Sequence, residues 1–376
     1  MNSIIIVIKQ TITSCPPIIN LVDVLIDLKF QIHILSGDEI CPLSGEKYKD
    51  KITFIPLNVN NSTSKIGKII TWLKFRKKVF QFLTSNSALV SRSILWIGSA
   101  DAALALGKEL FKYKYIFQCH ELYDAFPLYK NKLGEYMNHA SLVVNPSDER
   151  GAIFRSWYKL KETPITLPNK TYYHPQKLQL DIDDEDAKNT INKLKGKKIL
   201  LYQGGIVAQR DVSKIAEAVE KINGDWILVL MGNTDKSNYL MNLLNRYKKI
   251  VYIKRLNAPS HLQVTSWARI GIVSYSYDDI NHVFCAPNKT YEYTGFGIPM
   301  LGNTVPGIAN DIKKYKSGEV VDLESCEVDE VIEKLSIIDE NYEKYSKGAR
   351  DFYESVDIVA IIIKIIKSIN SKHETC

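Results

Sequence analysis

The sequence has few cysteines, and none is arranged for a metal site or a disulfide framework. The six form no CxxC pair and lie at positions 15, 41, 119, 285, 326 and 376, which favours a reducing compartment. No apolar run approaches the roughly 20 residues that cross a bilayer. The N-terminal stretch MNSIIIVIKQ is too short for a signal peptide and lacks a basic leader. These absences predict a cytoplasmic location.

Acidic residues are missing from one long segment. Residues 51–100 contain eight lysines and arginines and no Asp or Glu. The net charge of the whole chain is +7, so the rest of the chain is close to neutral. Two apolar stripes with helical spacing cross this segment. One consists of Ile66, Ile69, Ile70, Leu73 and Phe80, and the other of Trp72, Phe75, Val79 and Phe82.

If one stripe packs on a sheet, the other remains exposed. An exposed aromatic stripe flanked by lysines suits an anionic membrane surface, which we expect to be contacted by Lys68, Trp72, Lys74, Phe75 and Lys78. The alternative is a buried helix whose lysines reach outward to solvent. Nucleic-acid sites also mix basic and aromatic residues, but the sequence has no nucleic-acid-binding motif, and we expect no such partner.

The chain is long enough for two domains with separate cores, at 376 residues. Apolar strand-like runs alternate with helical patterns in both halves, which predicts an α/β class with doubly wound parallel sheets. We place the first domain at 1–171, a polar linker at 172–197 and the second domain at 198–352. The linker contains the acid cluster DIDDED. Its setting favours a solvated charge run over a magnesium site.

The segment 286–307, APNKTYEYTGFGIPMLGNTVPG, predicts a short helix with Pro287 in its first turn. Free N–H groups in the first helical turn, together with the helix dipole, favour an anion such as a diphosphate. Lys289 and Glu292 are three residues apart and share one helix face. Lys289 suits a phosphate, and Glu292 suits ribose hydroxyls. The alternative is an ordinary surface helix with a solvated Lys and Glu.

A second loop has similar chemistry. The segment 198–210, KILLYQGGIVAQR, predicts a buried strand, a tight turn at Gly204 and Gly205, and Arg210 in the loop before the next helix. Ligands of open α/β domains bind at this carboxyl edge of the sheet. A solvent-exposed loop arginine is the alternative. Two phosphate-suited loops in one predicted sheet favour the ligand site.

The order of these motifs resembles the donor domain of GT-B glycosyltransferases, family 4 in particular. The resemblance is specific mainly from Lys198 to Asp322 and is carried by YQGG…R, LVLMGN, VYIKRL and APNKTYEYTGFGIPML. It implies that Arg210 binds the donor diphosphate and that Glu292 binds the ribose. The predicted donor-binding set is Gly204, Gly205, Arg210, Asn288, Lys289, Thr290 and Glu292. The family often has another glutamate eight residues before Glu292, where this sequence has Phe284.

The resemblance also implies a fold and a reaction. Two Rossmann-like domains would face each other across a cleft, and a terminal helix at 353–376 would complete the first. The reaction would be hexosyl transfer from a nucleotide diphosphate sugar to an acceptor hydroxyl, with retention at the anomeric carbon. The nucleotide sugar is the co-substrate, and we expect no metal and no other cofactor. Arg210 and Lys289 would stabilise the departing diphosphate.

The first domain is expected to hold the acceptor. His120, in QCHELYD at the end of a predicted strand, resembles a histidine that faces the cleft in family members. It would act near neutral pH as a catalytic hydrogen-bonding group. Glu121, which is adjacent to it in sequence, and Ser14, in the loop after the first strand, are assigned to the acceptor cleft as well. The alternatives are a histidine that is satisfied structurally and a Glu121 that anchors the loop.

The basic segment suggests a lipid-linked saccharide acceptor in surface polysaccharide assembly. The protein would then lie peripherally at the inner face of the cell membrane. Two other functions remain open on the sequence. One is a non-catalytic binding partner that kept the fold, because Phe284 replaces an expected acid. The other is a sugar-nucleotide epimerase, which shares the architecture.

Overall fold

The computed structural model describes residues 3–43, 45–59 and 64–374. These residues form two compact units. The first unit runs to Tyr173 and resumes at Asp357, and the second spans His174–Val356. Each unit is a parallel sheet flanked by helices, which confirms the predicted α/β class.

The first unit alternates strands and helices. Its elements are β1 (Ser3–Ile8), α1 (Pro16–Asp27), β2 (Gln31–Ser36), β3 (Ile52–Pro56), α2 (Lys65–Ser85), α3 (Ser87–Val90), β4 (Ser93–Ile97), α4 (Ala100–Leu106), β5 (Tyr115–Gln118), α5 (Pro127–His139), β6 (Leu142–Asn145), α6 (Asp148–Tyr158) and β7 (Ile165–Thr166). Strand β1 reads SIIIVI and is buried along its whole length. Such a continuous apolar run is typical of a parallel strand that is covered on both faces.

The strand order in the first unit is β3-β2-β1-β4-β5-β6-β7. Each neighbouring pair is parallel, so the carboxyl ends of the strands share one edge. The direction of the order changes between β1 and β4, where Ile4 pairs with both Ile32 and Ile94. Loops that leave neighbouring strands at such a point diverge and open a ligand crevice. The β1–α1 and β5–α5 loops, which carry Ser14 and His120, leave from this edge.

The second unit repeats the alternation. Its elements are α7 (Glu185–Lys193), β8 (Lys198–Gln203), α8 (Ser213–Lys221), β9 (Trp226–Gly232), α9 (Tyr239–Arg246), β10 (Ile250–Lys254), α10 (His261–Thr265), β11 (Ile270–Val273), α11 (Ile280–Val283), α12 (Asn288–Gly295), β12 (Met300–Gly302), α13 (Pro306–Tyr315), β13 (Gly318–Val320), α14 (Val328–Glu340) and α15 (Tyr342–Glu354). The strand order is β10-β9-β8-β11-β12-β13, again with parallel neighbours. The order changes direction between β8 and β11, which places the two predicted donor loops at the switch point.

The last helix, α16 (Ile358–Glu374), belongs to the first unit. Its apolar side packs into the core formed by β1, β2 and α1. The buried residues of this side are Ile358, Ile362, Ile365, Ile366 and Ile369. The final two residues of the terminal helix predicted at 353–376 lie outside the described residues.

The segment predicted as a polar linker, 172–197, is mostly part of the second unit. It contains α7, which begins where the Asp184 carboxylate accepts a hydrogen bond from the backbone N–H of Ala187 at 2.9 Å. Ala187 and Ile191 are buried against the core of that unit. The many acidic residues obscure the amphipathic pattern of α7 in the sequence. Only a narrow apolar face of this helix is buried in the core. A linker over this whole range is therefore the wrong description.

Candidate functional site

Two glycines bring the loop after β8 close to two cationic side chains. Gly204 has φ +138°, in the region that favours glycine. A Cβ atom at Gly204 would lie 3.2 Å from Nζ of Lys289, and one at Gly205 would lie 3.9 Å from Nη1 of Arg210. The loop backbone therefore approaches the side chains that were predicted to bind phosphate, and bulkier residues would crowd them.

Lys289 is buried, and its amine has no hydrogen-bond acceptor among the described residues. The residue is 6% exposed, and Nζ is a buried atom without a hydrogen-bond partner. The amine lies 4.4 Å from the centre of the Tyr202 ring and 5.6 Å from that of Tyr275. Burial, reinforced by the charge of Arg210, lowers the pKa of Lys289 to about 7. An unpaired buried amine is costly, and an anion would relieve that cost.

Arg210 lies on the same aromatic wall. It ends the short 3-10 turn Ala208–Arg210, and its guanidinium carbon is 4.8 Å from the centre of the Tyr275 ring. Tyr275 therefore contacts both cations. Two positive groups on one wall, beside the first turn of α12, suit an anion with two adjacent charges.

The carboxylate of Glu292 is one helical turn from Lys289 and is also buried, at 7% exposed. Its Oε1 lies 3.1 Å from Nε2 of His261, and its Oε2 accepts a hydrogen bond from the side-chain amide of Gln203. Burial alone would raise the pKa of Glu292, but His261, Lys289 and Gln203 together hold it below its usual value. The carboxylate is therefore ionised and fixed in orientation.

The partners of Glu292 come from distant parts of the sequence. Gln203 ends β8, and its side-chain oxygen accepts a hydrogen bond from Oγ1 of Thr265 at 2.7 Å. His261 and Thr265 lie at opposite ends of α10. Sequence reasoning missed all three, along with Tyr202 and Tyr275. Tyr202 and Gln203 both belong to the YQGG motif, which was interpreted only through its two glycines.

Two further predicted donor residues lie at the start of α12. Asn288 is the first residue of the helix and is half-buried. Thr290 donates its hydroxyl hydrogen to the carbonyl oxygen of Pro287 at 2.7 Å, and its backbone N–H donates to the same oxygen. Thr290 therefore supports the start of the helix. Phe284 is half-buried and directly follows α11.

The predicted acceptor residues belong to the first unit. Nε2 of His120 lies 3.2 Å from the carbonyl oxygen of Gly98 and 3.8 Å from Sγ of Cys15. Its Nδ1 is buried and has no hydrogen-bond partner among the described residues. Burial lowers the pKa of His120, so the ring is neutral near pH 7. The bond to Gly98 requires the proton on Nε2, which leaves Nδ1 as a bare acceptor.

The side chains of Glu121 and Ser14 both bond to neighbouring groups of the first unit. A carboxylate oxygen of Glu121 lies 3.2 Å from Nη1 of the buried Arg150, and this guanidinium also donates to the carbonyl oxygen of His120. Oγ of Ser14 donates to the carbonyl oxygen of Thr11 at 2.6 Å. Neither side chain hydrogen-bonds the His120 ring in the structure. Glu121 thus anchors the loop that carries His120.

The prediction of an exposed aromatic stripe on α2 is wrong. Phe75 and Val79 are fully buried, so Phe75 has no access to a membrane. This side of α2 packs against α4, whose alanines let the larger rings approach closely. Trp72 is half-buried, with its ring centre 6.3 Å from that of Tyr129 on α5. Lys78 donates to the carbonyl oxygen of Leu57.

Four aliphatic residues of the other stripe are exposed instead, whereas its fifth member, Phe80, is buried. The exposed fractions are 74% for Ile66, 62% for Ile69, 48% for Ile70 and 54% for Leu73. Lys68 and Lys74 lie exposed beside it. In the part of the chain that the structure describes, no helix is both long and apolar enough to span a bilayer.

Comparison with solved structures identifies the architecture. HepE from Anabaena, solved with UDP and glucose, is 12% identical with a TM-score of 0.71, and the match covers 99% of this chain and 100% of HepE. The chain has the GT-B fold. Sucrose-phosphate synthase from Thermosynechococcus elongatus is 14% identical with a TM-score of 0.74 over 100% of both chains. WaaG, a glycosyltransferase involved in lipopolysaccharide biosynthesis, is 16% identical with a TM-score of 0.63, over 96% of this chain and 98% of WaaG.

The sequence comparisons found no relative. No family model matches the chain, and neither does any curated protein. The predicted GT-B fold is confirmed by structure, whereas membership of family 4 stays a prediction.

Proposed function

We propose that this protein is a glycosyltransferase that moves a sugar from a nucleoside diphosphate to an acceptor hydroxyl. The unpaired amine of Lys289 carries the proposal, because it is buried beside Arg210 at the start of a helix. A diphosphate would supply the missing acceptors, and Glu292 lies one turn further for the ribose hydroxyls. The likeness to HepE, which was solved with UDP and with UDP-glucose, supports a nucleotide sugar as the donor.

The chemistry follows from these charges. As the bond between the sugar and the diphosphate breaks, negative charge grows on the departing oxygen. Arg210, Lys289 and the N–H groups at the start of α12 would stabilise that charge in a site with little water. The positive charge comes from side chains and amides, so we propose a transfer that needs no metal. Retention at the anomeric carbon, and a role for His120 near the reacting sugar, rest on the family resemblance.

The donor proposal is tested by calorimetric titration with UDP, GDP, ADP and their common sugar conjugates. Saturable binding of one nucleotide, lost in Arg210→Ala and in Lys289→Met, would support it. Lys313→Met is the matched control, because Lys313 is exposed on α13 and should bind as the wild type does. If none of the nucleotides binds, the donor proposal is wrong. Binding without turnover would favour a non-catalytic partner, and conversion of a nucleotide sugar without an acceptor would favour an epimerase.

We also propose that the protein binds an anionic membrane surface peripherally, at its cytoplasmic face, and takes a lipid-linked saccharide as acceptor in surface polysaccharide assembly. The aliphatic stripe on α2 supports this, together with Phe126 and Leu128 beside the start of α5, which are 62% and 79% exposed. The contact of Trp72 with Tyr129 joins these two helices. Lysines around an apolar patch suit anionic lipid headgroups.

Vesicle sedimentation at low salt tests the membrane proposal. The wild type should sediment with phosphatidylglycerol vesicles and much less with phosphatidylcholine vesicles. The double variant Ile69→Gln/Leu73→Gln should lose most of this binding. Met241→Gln changes an exposed apolar residue of the second unit, 55% exposed, and should keep it. Equal sedimentation of the wild type and the double variant would contradict this use of the stripe.

A further inference from the structure

Two histidines contact Glu292, and their surroundings differ. Nε2 of His174 lies 3.0 Å from the backbone oxygen of Glu292, and its Nδ1 accepts the backbone N–H of Gln176 at 3.0 Å. Both ring nitrogens are therefore paired, as in a histidine that stabilises a fold. His261 instead contacts the Glu292 carboxylate at 3.1 Å through Nε2. Its Nδ1 is buried and has no hydrogen-bond partner among the described residues.

The unpaired Nδ1 argues against a purely structural role for His261. Leaving a buried acceptor unpaired costs free energy, whereas a structural position is normally satisfied. The stabilising contact of the ring is made by Nε2, and it is made to one group, the carboxylate of Glu292. A buried polar atom that is left unpaired without a compensating structural gain is expected at a functional site.

We propose that His261 is a positioning residue for the donor ribose. This inference rests on the proposed function. His261 holds Oε1 of Glu292 and Gln203 holds Oε2, so the carboxylate cannot rotate. Each carboxylate oxygen has a second lone pair, and the fixed geometry presents these to the two hydroxyls of one ribose. Preorganisation of this kind raises affinity because the ligand does not have to order the side chain.

Ribose and deoxyribose ligands isolate this effect. Calorimetry on the full-length protein should use whichever of UDP, GDP and ADP the wild type binds, together with its 2′,3′-dideoxy counterpart. The wild type should prefer the ribose form at least about tenfold, the size expected for hydrogen bonds to a charged group. In His261→Ala the preference should fall to about threefold or less, while affinity for the dideoxy ligand stays within about twofold of the wild type. His261→Gln keeps a donor near the position of Nε2 and should restore part of the preference.

His174→Gln is the matched structural variant. It should lower the midpoint of thermal unfolding and leave the ribose preference unchanged. In a Glu292→Gln background, the additional change His261→Ala should have no further effect on the preference, because His261 acts through that carboxylate.

Three results separate the possible failures. If the wild type binds no nucleotide, the proposed function fails and the inference fails with it. If the wild type binds a nucleotide but His261→Ala weakens the affinities for the ribose and dideoxy ligands equally, the inference alone is wrong. An equal loss of preference in His174→Gln would show that His261 is one of several structural supports, which also overturns the proposal.

Discussion

The buried amine of Lys289 predicts that Lys289→Met makes the unliganded protein more stable. The pKa of this lysine falls from 10.5 to about 7 on folding, because of burial and then the charge of Arg210. Each pKa unit corresponds to about 1.4 kcal/mol, so near pH 7 the lysine costs on the order of 4 kcal/mol of unfolding free energy. Methionine has a similar length and no charge, and it removes that cost.

The sign of the pH dependence follows from the same pKa. Between pH 7 and 10.5 the unfolded chain keeps the proton on Lys289 and the folded chain releases it. Stability of the wild type therefore rises with pH over this window. The advantage of Lys289→Met is largest at and below pH 7. It should fall to roughly half by about pH 9 and vanish above the unfolded pKa.

Thermal unfolding of the full-length variant measures the effect. A gain in unfolding free energy of this size should raise the thermal unfolding midpoint of the second unit by roughly 8 °C or more at pH 7. Lys313→Met, on the exposed side of α13, should shift the midpoint little. Nucleotide at about one hundred times its dissociation constant should stabilise the wild type by about 2.7 kcal/mol and leave Lys289→Met almost unchanged. A midpoint of Lys289→Met at or below that of the wild type at pH 7 would refute the reasoning.

Three further predictions concern the same site. Affinity for a nucleotide sugar, whose diphosphate does not titrate near neutral pH, should weaken by up to about tenfold per pH unit above pH 7, because the bound form requires protonated Lys289. Titrations in buffers of different ionisation enthalpy should then report proton uptake, and a pH-independent affinity would contradict this. Arg210→Ala and Glu292→Ala should each lower turnover at least about tenfold, as expected for a lost charge-assisted contact; in steady-state assays, losses within about twofold would show that the donor residues are misassigned. Gly204→Ala should weaken nucleotide binding in calorimetry, since its φ is +138° and its Cβ would lie 3.2 Å from the Lys289 amine. Wild-type affinity in Gly204→Ala would mean that this close approach is not used.

Local sequence patterns predicted the fold class and several residues that now lie together. Lys289 and Glu292 were paired correctly on one helix face because a spacing of three residues is a local property. Arg210 was placed at the sheet edge because a strand, a glycine turn and a helix follow in order. The pairing of His261 with Glu292 depends instead on the order β10-β9-β8-β11, which brings α10 beside α12. Such a contact between distant segments leaves no periodic signal in a single sequence.

The α2 helix shows a different limit of sequence patterns. Both of its stripes are apolar, so periodicity indicates a helix but does not decide which side is covered. The side of α2 that becomes buried is determined by α4, whose small alanines leave room for the ring of Phe75. The segment 172–197 shows the reverse case, because its many acids concealed the spacing of Ala187 and Ile191. Composition describes the average of all faces, whereas packing depends on one.

The buried polar atoms of the second unit that have no hydrogen-bond partner among the described residues include Nζ of Lys289 and Nδ1 of His261. Each side chain also interacts with Glu292, Lys289 through its charge and His261 through a hydrogen bond. Unsatisfied buried groups lower stability. Two side chains that each carry such a group and each interact with the same carboxylate are hard to explain by folding alone. A ligand that carries both an anion and hydroxyl groups would satisfy the amine and use the fixed carboxylate at once. If Lys289→Met stabilises the protein and abolishes nucleotide binding together, the same buried charge accounts for both the instability and the recognition.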